Sequence, residues 1–494
     1  MKLKRDKELL EICRRFFDVY ENCIVRTEED RRAAFKSSNF SISQTHMVHI
    51  TRELSRAVSE LAEQIAKRLG AVLGSEKRVR DLAFKHASRR ASAEVAIPTD
   101  TAVKHFLDDV ERDVQNLYEY ILPNYVVRFG EGVTDLKFGP VAAKLATSIV
   151  EEHNKSDLRD RLEFVAGDHF IHALEVDNQV LSRVQLHRVC WSVQISAAPE
   201  NVNEEAGWLI DVALSLLRLS YTEIPPFFPG LGDVEDHPWR RQYVGRVGIR
   251  RKEGEISVGG WDAPRVYVIN KDVYEKVSSK TFQEVTEKVF FPSRKSLAER
   301  VAQGLGWLTR GRQAADRSER LLYFFTAIEA LLSSDDKSAP LVQNISRHAA
   351  VMLSNNNEQR ANWASAIKRL YTFRSALVHN GRREVSLWTA NKVEHIAEAL
   401  YIVALRNVDL AIPHAKFSED LATASYGLPW LKQGAEVAAI RHDRTVPRLA
   451  PISDAAPQEA RRAAMARIRA RAAARQAGPF DWSEWKALRD EGRP

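Results

Sequence analysis

The chain has 494 residues, of which 44% are hydrophobic and 28% charged, a composition typical of a globular protein large enough for more than one domain. Its net charge of +7 and pI of about 9.1 are compatible with a polyanionic partner. Much of this basic excess lies in residues 441–494. A nucleic-acid site elsewhere in the chain would therefore have to be a local patch. No apolar run is long enough to span a bilayer.

Several common enzyme classes are excluded because their motifs are missing. The sequence has no Gly-rich phosphate loop, no His-Glu-x-x-His zinc motif and no Gly-x-Ser-x-Gly elbow. Cys13, Cys23 and Cys190 are too few and too scattered for a disulfide framework or a zinc site, so we expect reduced structural thiols. The first residues lack the apolar stretch of a signal peptide. We expect a cytoplasmic protein with no metal, no cofactor and no membrane partner.

Residues 1–120 are predicted to form a helical N-terminal region. Apolar side chains recur there at the spacing of one helix face, as at Val48, Leu54, Val58, Leu61 and Ile65.

Residues 121–290 are predicted to form a mixed α+β domain with a sensing or regulatory role. Apolar side chains alternate with other residues over 189–195, which indicates a strand. A helix is predicted around 209–217, a long Pro- and Gly-rich loop over 221–245, and a further strand over 265–270.

Residues 291–430 have a purely helical pattern. Ser293 and Asp316 are placed to cap the first two helices, and Asn380-Gly381 is a stop pair for the fourth. Five amphipathic helices with short connections predict a bundle. Their apolar stripes include Leu297, Val301, Leu305 and Leu308; Leu321, Phe324, Phe325, Ile328 and Leu332; Ile345, Ala349 and Met352; Trp363, Ile367, Leu370 and Leu377; and Val393, Ile396, Ala397, Leu400 and Val403.

Residues 431–494 are predicted to be a linker and an Ala/Arg-rich tail that ends in a short helix. Three prolines mark the linker, and few large apolar residues precede Trp482 and Trp485. This composition favours a tail that takes part in regulation by binding a protein partner.

One side chain interrupts the apolar stripe of the fourth bundle helix. Arg374 falls between Leu370 and Leu377, where arginine requires a partner or a task. His379 follows at the helix end, before Gly381. Five residues of regular helix place two side chains roughly 140° apart. The two residues therefore converge only if the last helical turn distorts, or if a two-fold axis brings two copies of the helix together.

The segment 370–381 resembles the Arg-x-x-x-x-His signature of HEPN ribonucleases, and the wider segment is similar to the Apea-like HEPN family of bacterial antiphage proteins. Three further segments follow that family's pattern: Leu305-Gly306-Trp307, Phe325-Thr326-Ala327-Ile328-Glu329-Ala330-Leu331 and Arg347-His348-Ala349-Ala350. The resemblance covers about 140 residues of the C-terminal bundle, counted along the printed sequence. One position departs from it. Ser375 follows the arginine where many HEPN nucleases have Asn, His or Asp.

The sequence patterns predict a mostly α chain with an α+β middle region, and the resemblance implies that the C-terminal bundle is of HEPN type. It further implies an endoribonuclease that acts in phage defence on cellular or phage RNA, and the angular separation of Arg374 and His379 favours a homodimer. Arg374 and His379 would be catalytic and would leave 2′,3′-cyclic phosphate and 5′-hydroxyl ends without a metal. The expected supporting residues are Glu329, Ser375 and Asn380. The expected RNA contacts are Arg347, Tyr371, Arg382 and Arg383.

Other interpretations of the same residues remain open. Arg374 could form a structural ion pair with Glu329, and His379 could cap the carbonyls at its helix end. Glu329 could orient Arg374 or only brace the bundle. At the level of function, the alternatives are a non-catalytic HEPN module that binds RNA or protein, and a toxin restrained by a partner.

Overall fold

The computed structural model describes residues 3–430 with internal gaps. The chain divides into two compact units, Met1–Glu436 and Val437–Pro494, and the second unit, with the predicted tail, lies outside the described residues. So does the predicted loop over 221–245. The gaps are 38–39, 43–45, 116, 125, 156–162, 165–170, 173, 177–178, 183–187, 199, 221–248, 253–254, 259–266, 315 and 335–340.

The N-terminal region is helical, as predicted. Its helices enclose a core that includes Phe16, Phe17, Leu61 and Phe106. Each of three helices begins at a side-chain cap, because an oxygen of Asp6, Thr51 or Ser75 accepts an early backbone N–H. The elements are α1 (Lys7–Asn22), α2 (Glu28–Ser37), β1 (Phe40–Ile42), β2 (Met47–His49), α3 (Arg52–Leu69), α4 (Glu76–Ala91) and α5 (Thr99–Gln115).

A four-stranded antiparallel sheet lies at the centre of the middle region. Its strand order is β3 (Tyr118–Pro123), β11 (Val189–Ile195), β6 (Val141–Leu145) and β5 (Asp135–Phe138). The strand predicted over 189–195 is confirmed as β11. The predicted alternation is less complete than expected, since Cys190 and Ser192 are buried as well. Neighbouring strands do not cover a face of the sheet; Cys190 is buried because it packs against Ala146, Ile149 and Val150 of the helix that follows β6.

Shorter elements complete this region. The predicted strand over 265–270 is confirmed as β14 (Tyr267–Ile269), which pairs in parallel with β4 (Val127–Phe129). The remaining strands are β7 (Glu163–Phe164), β8 (Ile171–His172), β9 (Leu174–Val176), β10 (Gln179–Ser182), β12 (Ile249–Lys252) and β13 (Glu255–Val258). The helices are α6 (Ala146–Lys155), α7 (Val202–Ser220), α8 (Lys271–Ser278) and α9 (Lys280–Phe290).

The C-terminal bundle contains the five predicted helices and one more. These are α10 (Leu297–Gln313), α11 (Arg317–Leu332), α12 (Leu341–Leu353), α13 (Asn357–Asn380) and α14 (Leu387–Asn407), followed by the unpredicted α15 (His414–Ala424). Asp316 caps α11 as predicted. The cap predicted at Ser293 is wrong, because Ser296 accepts the Glu299 N–H at the start of α10. The HEPN assignment of this bundle stays a prediction.

Helix α7 joins the middle region to the bundle. The Ser215 hydroxyl donates to the Leu305 carbonyl at 2.7 Å, and the Thr309 hydroxyl donates to the Asp211 carbonyl at 2.6 Å. A Cβ on Gly306 would lie 2.5 Å from the Trp208 ring, so a glycine is needed where α7 crosses α10. The domain boundary at residue 291 stays a prediction. Helices α7 and α10, which lie on its two sides, are joined by hydrogen bonds and pack closely at Gly306.

A buried ion network connects α7, α10, α11 and α14. Arg320 donates to Glu394 at 2.5 Å, and Arg312 lies 2.9 Å from the same carboxylate. Arg218 donates to Glu398 at 2.8 Å, and Arg312 also pairs with Glu398. All five side chains are at most 16% exposed. Three cations and two carboxylates thus meet where water is largely excluded, and each charge depends on the others.

Cys13, Cys23 and Cys190 form no disulfide with one another. Among the described residues, no helix combines the length and apolarity needed to cross a membrane.

Candidate active site

Helix α13 carries both motif residues and is regular to its end. Gly381 adopts the left-handed conformation with φ of 64°. The Gly381 N–H donates to the Leu377 carbonyl at 3.1 Å, and the Arg382 N–H donates to the Ala376 carbonyl at 3.2 Å. This glycine-terminated pattern keeps the last turn helical. The distorted turn considered from the sequence is therefore not seen, and Arg374 and His379 stay roughly 140° apart on one chain.

The Arg374 guanidinium is held by Glu329 on α11. Nε lies 3.2 Å from one carboxylate oxygen, and Nη2 donates to the other oxygen at 3.2 Å. This two-point contact fixes the plane of the guanidinium. The two side chains are 24% and 19% exposed, so the pair is partly rather than fully buried. Part of the Arg374 side chain therefore remains in contact with solvent.

Tyr371 holds the Glu329 carboxylate in place. Its hydroxyl donates to the Glu329 carboxylate at 2.7 Å, and its ring contacts Phe325 edge-on with centroids 5.2 Å apart. Burial and the neighbouring carboxylate raise the pKa of the Tyr371 phenol, which therefore stays a donor. From the sequence, Tyr371 is expected to pack in the bundle or to contact RNA, and its 5% exposure favours packing. We assign Tyr371 to positioning Glu329, a role that the sequence did not indicate.

His379 is exposed in the last turn of α13, beside the exposed Asn380. Within the described part of the chain, no hydrogen bond or ion pair joins the His379 imidazole to another group. The capping role considered from the sequence is not seen, since backbone N–H groups occupy the Ala376 and Leu377 carbonyls. Ser375 lies half-exposed between the two motif residues.

The predicted RNA-contact arginines are in different settings. Arg383 pairs with Asp316 at the start of α11. Burial alone would raise the pKa of Asp316. The N–H donors of Ser318 and Glu319 and the charge of Arg383 outweigh burial and lower this pKa below its ordinary value. Arg382 is exposed directly after Gly381. Arg347 is exposed on α12, and no described contact joins it to Arg374 or His379. Arg382 and Arg347 have no described ion-pair partner. Of these two, Arg382 lies closer to the motif along the chain.

Large apolar side chains are exposed around the motif. Phe373 and Val378 on α13 are 40% and 48% exposed, and Leu387 and Trp388 at the start of α14 are 37% and 53% exposed. Such a concentration near two functional candidates is typical of a binding surface.

The chain matches no family model, no curated protein and no solved structure. In the ranges that the structure describes, no group of three or more His, Cys, Asp or Glu side chains is arranged to hold a metal ion.

Proposed function

We propose that this protein is a metal-independent endoribonuclease of HEPN type. The observation that carries the proposal is the presence of an oriented, partly exposed Arg374 and an exposed His379 in the last turns of one helix. A structural ion pair alone would explain Arg374 and Glu329. It would not explain an accessible histidine at the end of the same helix, next to exposed apolar side chains.

The chemistry requires only proton transfer and charge stabilisation. A base removes the proton of an RNA 2′-hydroxyl, whose oxygen attacks the adjacent phosphorus and forms the 2′ O–P bond. The bond from phosphorus to the 5′ oxygen breaks, and an acid protonates that oxygen. The products are a 2′,3′-cyclic phosphate and a 5′-hydroxyl. Histidine is suited to the proton transfers. The planar guanidinium of Arg374, held by Glu329, is suited to the phosphate oxygens.

A homodimer would supply the second histidine that one copy lacks. One chain offers a single His379 for two proton transfers, and the regular helix separates it from Arg374. A two-fold axis near the end of α13 would bring two histidines and two arginines to one cleft. The exposed Val378 and Leu387 provide apolar contacts for the second copy.

We expect the Val378→Glu variant to be a monomer and to lose RNA cleavage, because a carboxylate would be buried without a partner in the dimer interface. Light scattering measures the mass, and Val95→Glu, at a position 79% exposed in the N-terminal region, is the matched control. Mixing inactive Arg374→Ala and His379→Ala proteins should restore part of the activity if the cleft is shared. An active wild-type monomer contradicts the dimer.

RNA cleavage should persist in excess EDTA, because Arg374 and His379 supply both the charge and the proton transfers. The measurement is incubation of purified protein with total RNA and chelator, followed by analysis of the product ends. Cyclic phosphate ends support the mechanism. Activity that returns only on addition of Mg²⁺ or Mn²⁺ overturns it. RNA binding without any cleavage by wild type would favour the non-catalytic module.

The biological setting is proposed from the resemblance alone. The HEPN nuclease would act in phage defence by cutting cellular or phage RNA, with residues 1–290 sensing or restraining it and the tail binding a regulatory protein.

A further inference from the structure

Basic and aromatic side chains are exposed on α14 and on α13, the helix that carries the motif. On α14, the Lys392 ammonium lies 3.3 Å from the centroid of the Trp388 ring. The two residues are one helical turn apart, so the contact follows from helix geometry. Trp388 is 53% exposed. The ring therefore keeps accessible area in addition to the area that the ammonium covers.

A second cation approaches from α13. Partial burial and the positive charge of Arg369 lower the pKa of Lys392 to about 8. Arg369 is exposed, and among the described residues no carboxylate pairs with either cation. Two uncompensated cations close together repel each other, and an anion placed between them would relieve that repulsion. Arg369 and Lys392 therefore favour the binding of an anionic group.

The same surface offers a second exposed ring. Phe373 lies one turn after Arg369 on α13 and is 40% exposed. We call Trp388 and Lys392, with the nearby charge of Arg369, the Trp388–Lys392 surface, and Phe373 lies beside Arg369 on α13. Cations beside accessible rings are how proteins hold single-stranded RNA, since the cations contact phosphate and the rings stack on unpaired bases.

A second copy of the chain fits this surface less well. Charged residues are depleted from the centre of protein interfaces, because burying a cation without a partner is costly. A two-fold contact here would bring further copies of the same cations together. The apolar Val378 and Leu387 lack this disadvantage, so the dimer contact and this surface are separate features of the same helices.

We propose that the Trp388–Lys392 surface is a nucleotide subsite that holds an unpaired base and its phosphate while the strand passes the Arg374–His379 motif. The inference rests on the proposed function for its substrate. Arg369 lies about 8 Å along the axis of α13 from Arg374, since each residue adds 1.5 Å. Arg369 and Arg374 are also roughly 140° apart around the axis, so a strand bound at the subsite has to pass around α13 to reach Arg374. The subsite makes single-stranded or looped RNA the preferred substrate over duplex RNA.

The test measures binding and cleavage separately. Binding uses a 2′-deoxy-substituted single-stranded oligonucleotide, which cannot be cut by its own 2′-hydroxyl, together with an RNA duplex and polyphosphate as probes. Trp388→Ala should weaken binding of the single strand by roughly fivefold to a hundredfold, the range for loss of one stacked base. Its binding of polyphosphate should change little. Lys392→Gln should weaken both and reduce the slope of binding against salt by about one.

Matched controls are Tyr426→Ala, at an aromatic side chain 89% exposed, and Lys416→Gln on α15, which is also exposed. Unchanged affinity in Trp388→Ala and Lys392→Gln overturns the subsite even if wild type cuts RNA. Weakened binding in both variants supports it even if no cleavage is found, in which case only the proposed function fails. A shift from dimer to monomer with unchanged RNA affinity would show that the surface joins two copies instead.

Discussion

His379→Ala should abolish RNA cleavage and leave the thermal stability of the protein almost unchanged. The imidazole is exposed and makes no hydrogen bond to a described residue, so its removal should change the free energy of unfolding by less than about 0.5 kcal/mol. If it transfers a proton in the cleavage step, its loss should lower the rate by about 10²–10⁴. Cleavage rate and melting temperature are measured on the same preparation. His105→Ala, at an exposed position of α5, is the matched control.

Arg374→Ala provides a second, less clean test of the same site. It removes the phosphate-binding group, but it also leaves Glu329 with only the Tyr371 hydroxyl as a described side-chain donor. Because the pair is half-buried, we expect a cost of about 1–3 kcal/mol, below the cost of breaking a fully buried pair. Wild-type cleavage by a folded His379→Ala protein would falsify the assignment of this motif as a nuclease site.

Glu394→Gln should destabilise the protein by about 3–5 kcal/mol, the largest stability effect that we expect of a single substitution here. It removes one of two carboxylates from a network that holds Arg218, Arg312 and Arg320. Among the described residues, Glu398 is the carboxylate that then remains in the network. Because the network joins helices of the middle region and the bundle, both should lose stability together. Urea unfolding followed by circular dichroism measures the loss.

Glu284→Gln is the matched control for this substitution. Glu284 pairs with Lys280 one turn away at 3.9 Å, and both side chains are well exposed, so its removal should cost less than about 0.5 kcal/mol. A cost for Glu394→Gln no larger than for this control would show that the network contributes little. In a double-mutant cycle, Arg320→Met combined with Glu394→Gln should cost less than the two single changes added, since each removes the partner of the other.

Much of the fold could be predicted from local patterns in the sequence. Side-chain periodicity predicted the helices of the N-terminal region and bundle, and a two-residue alternation predicted β11. Asp316 and Gly381 were recognisable as helix ends because their chemistry acts within a few residues of the chain. The position of Arg374 on an apolar stripe predicted a partner, and Glu329 is that partner. Helix α15 was missed in the sequence, although its buried Phe417 and Leu421 are one turn apart.

Only the tertiary structure decided which distant side chains meet. The sequence left Tyr371 open to packing or to stacking on a base. In the structure its hydroxyl donates to Glu329, 42 residues earlier in the chain. The buried network draws charges from four helices, with as many as 180 residues between Arg218 and Glu398. Local patterns cannot specify such pairs, because burial and charge balance depend on how whole helices pack against each other. The spacing of Trp388 and Lys392 was visible in the sequence, whereas the approach of Arg369 from the neighbouring helix was not.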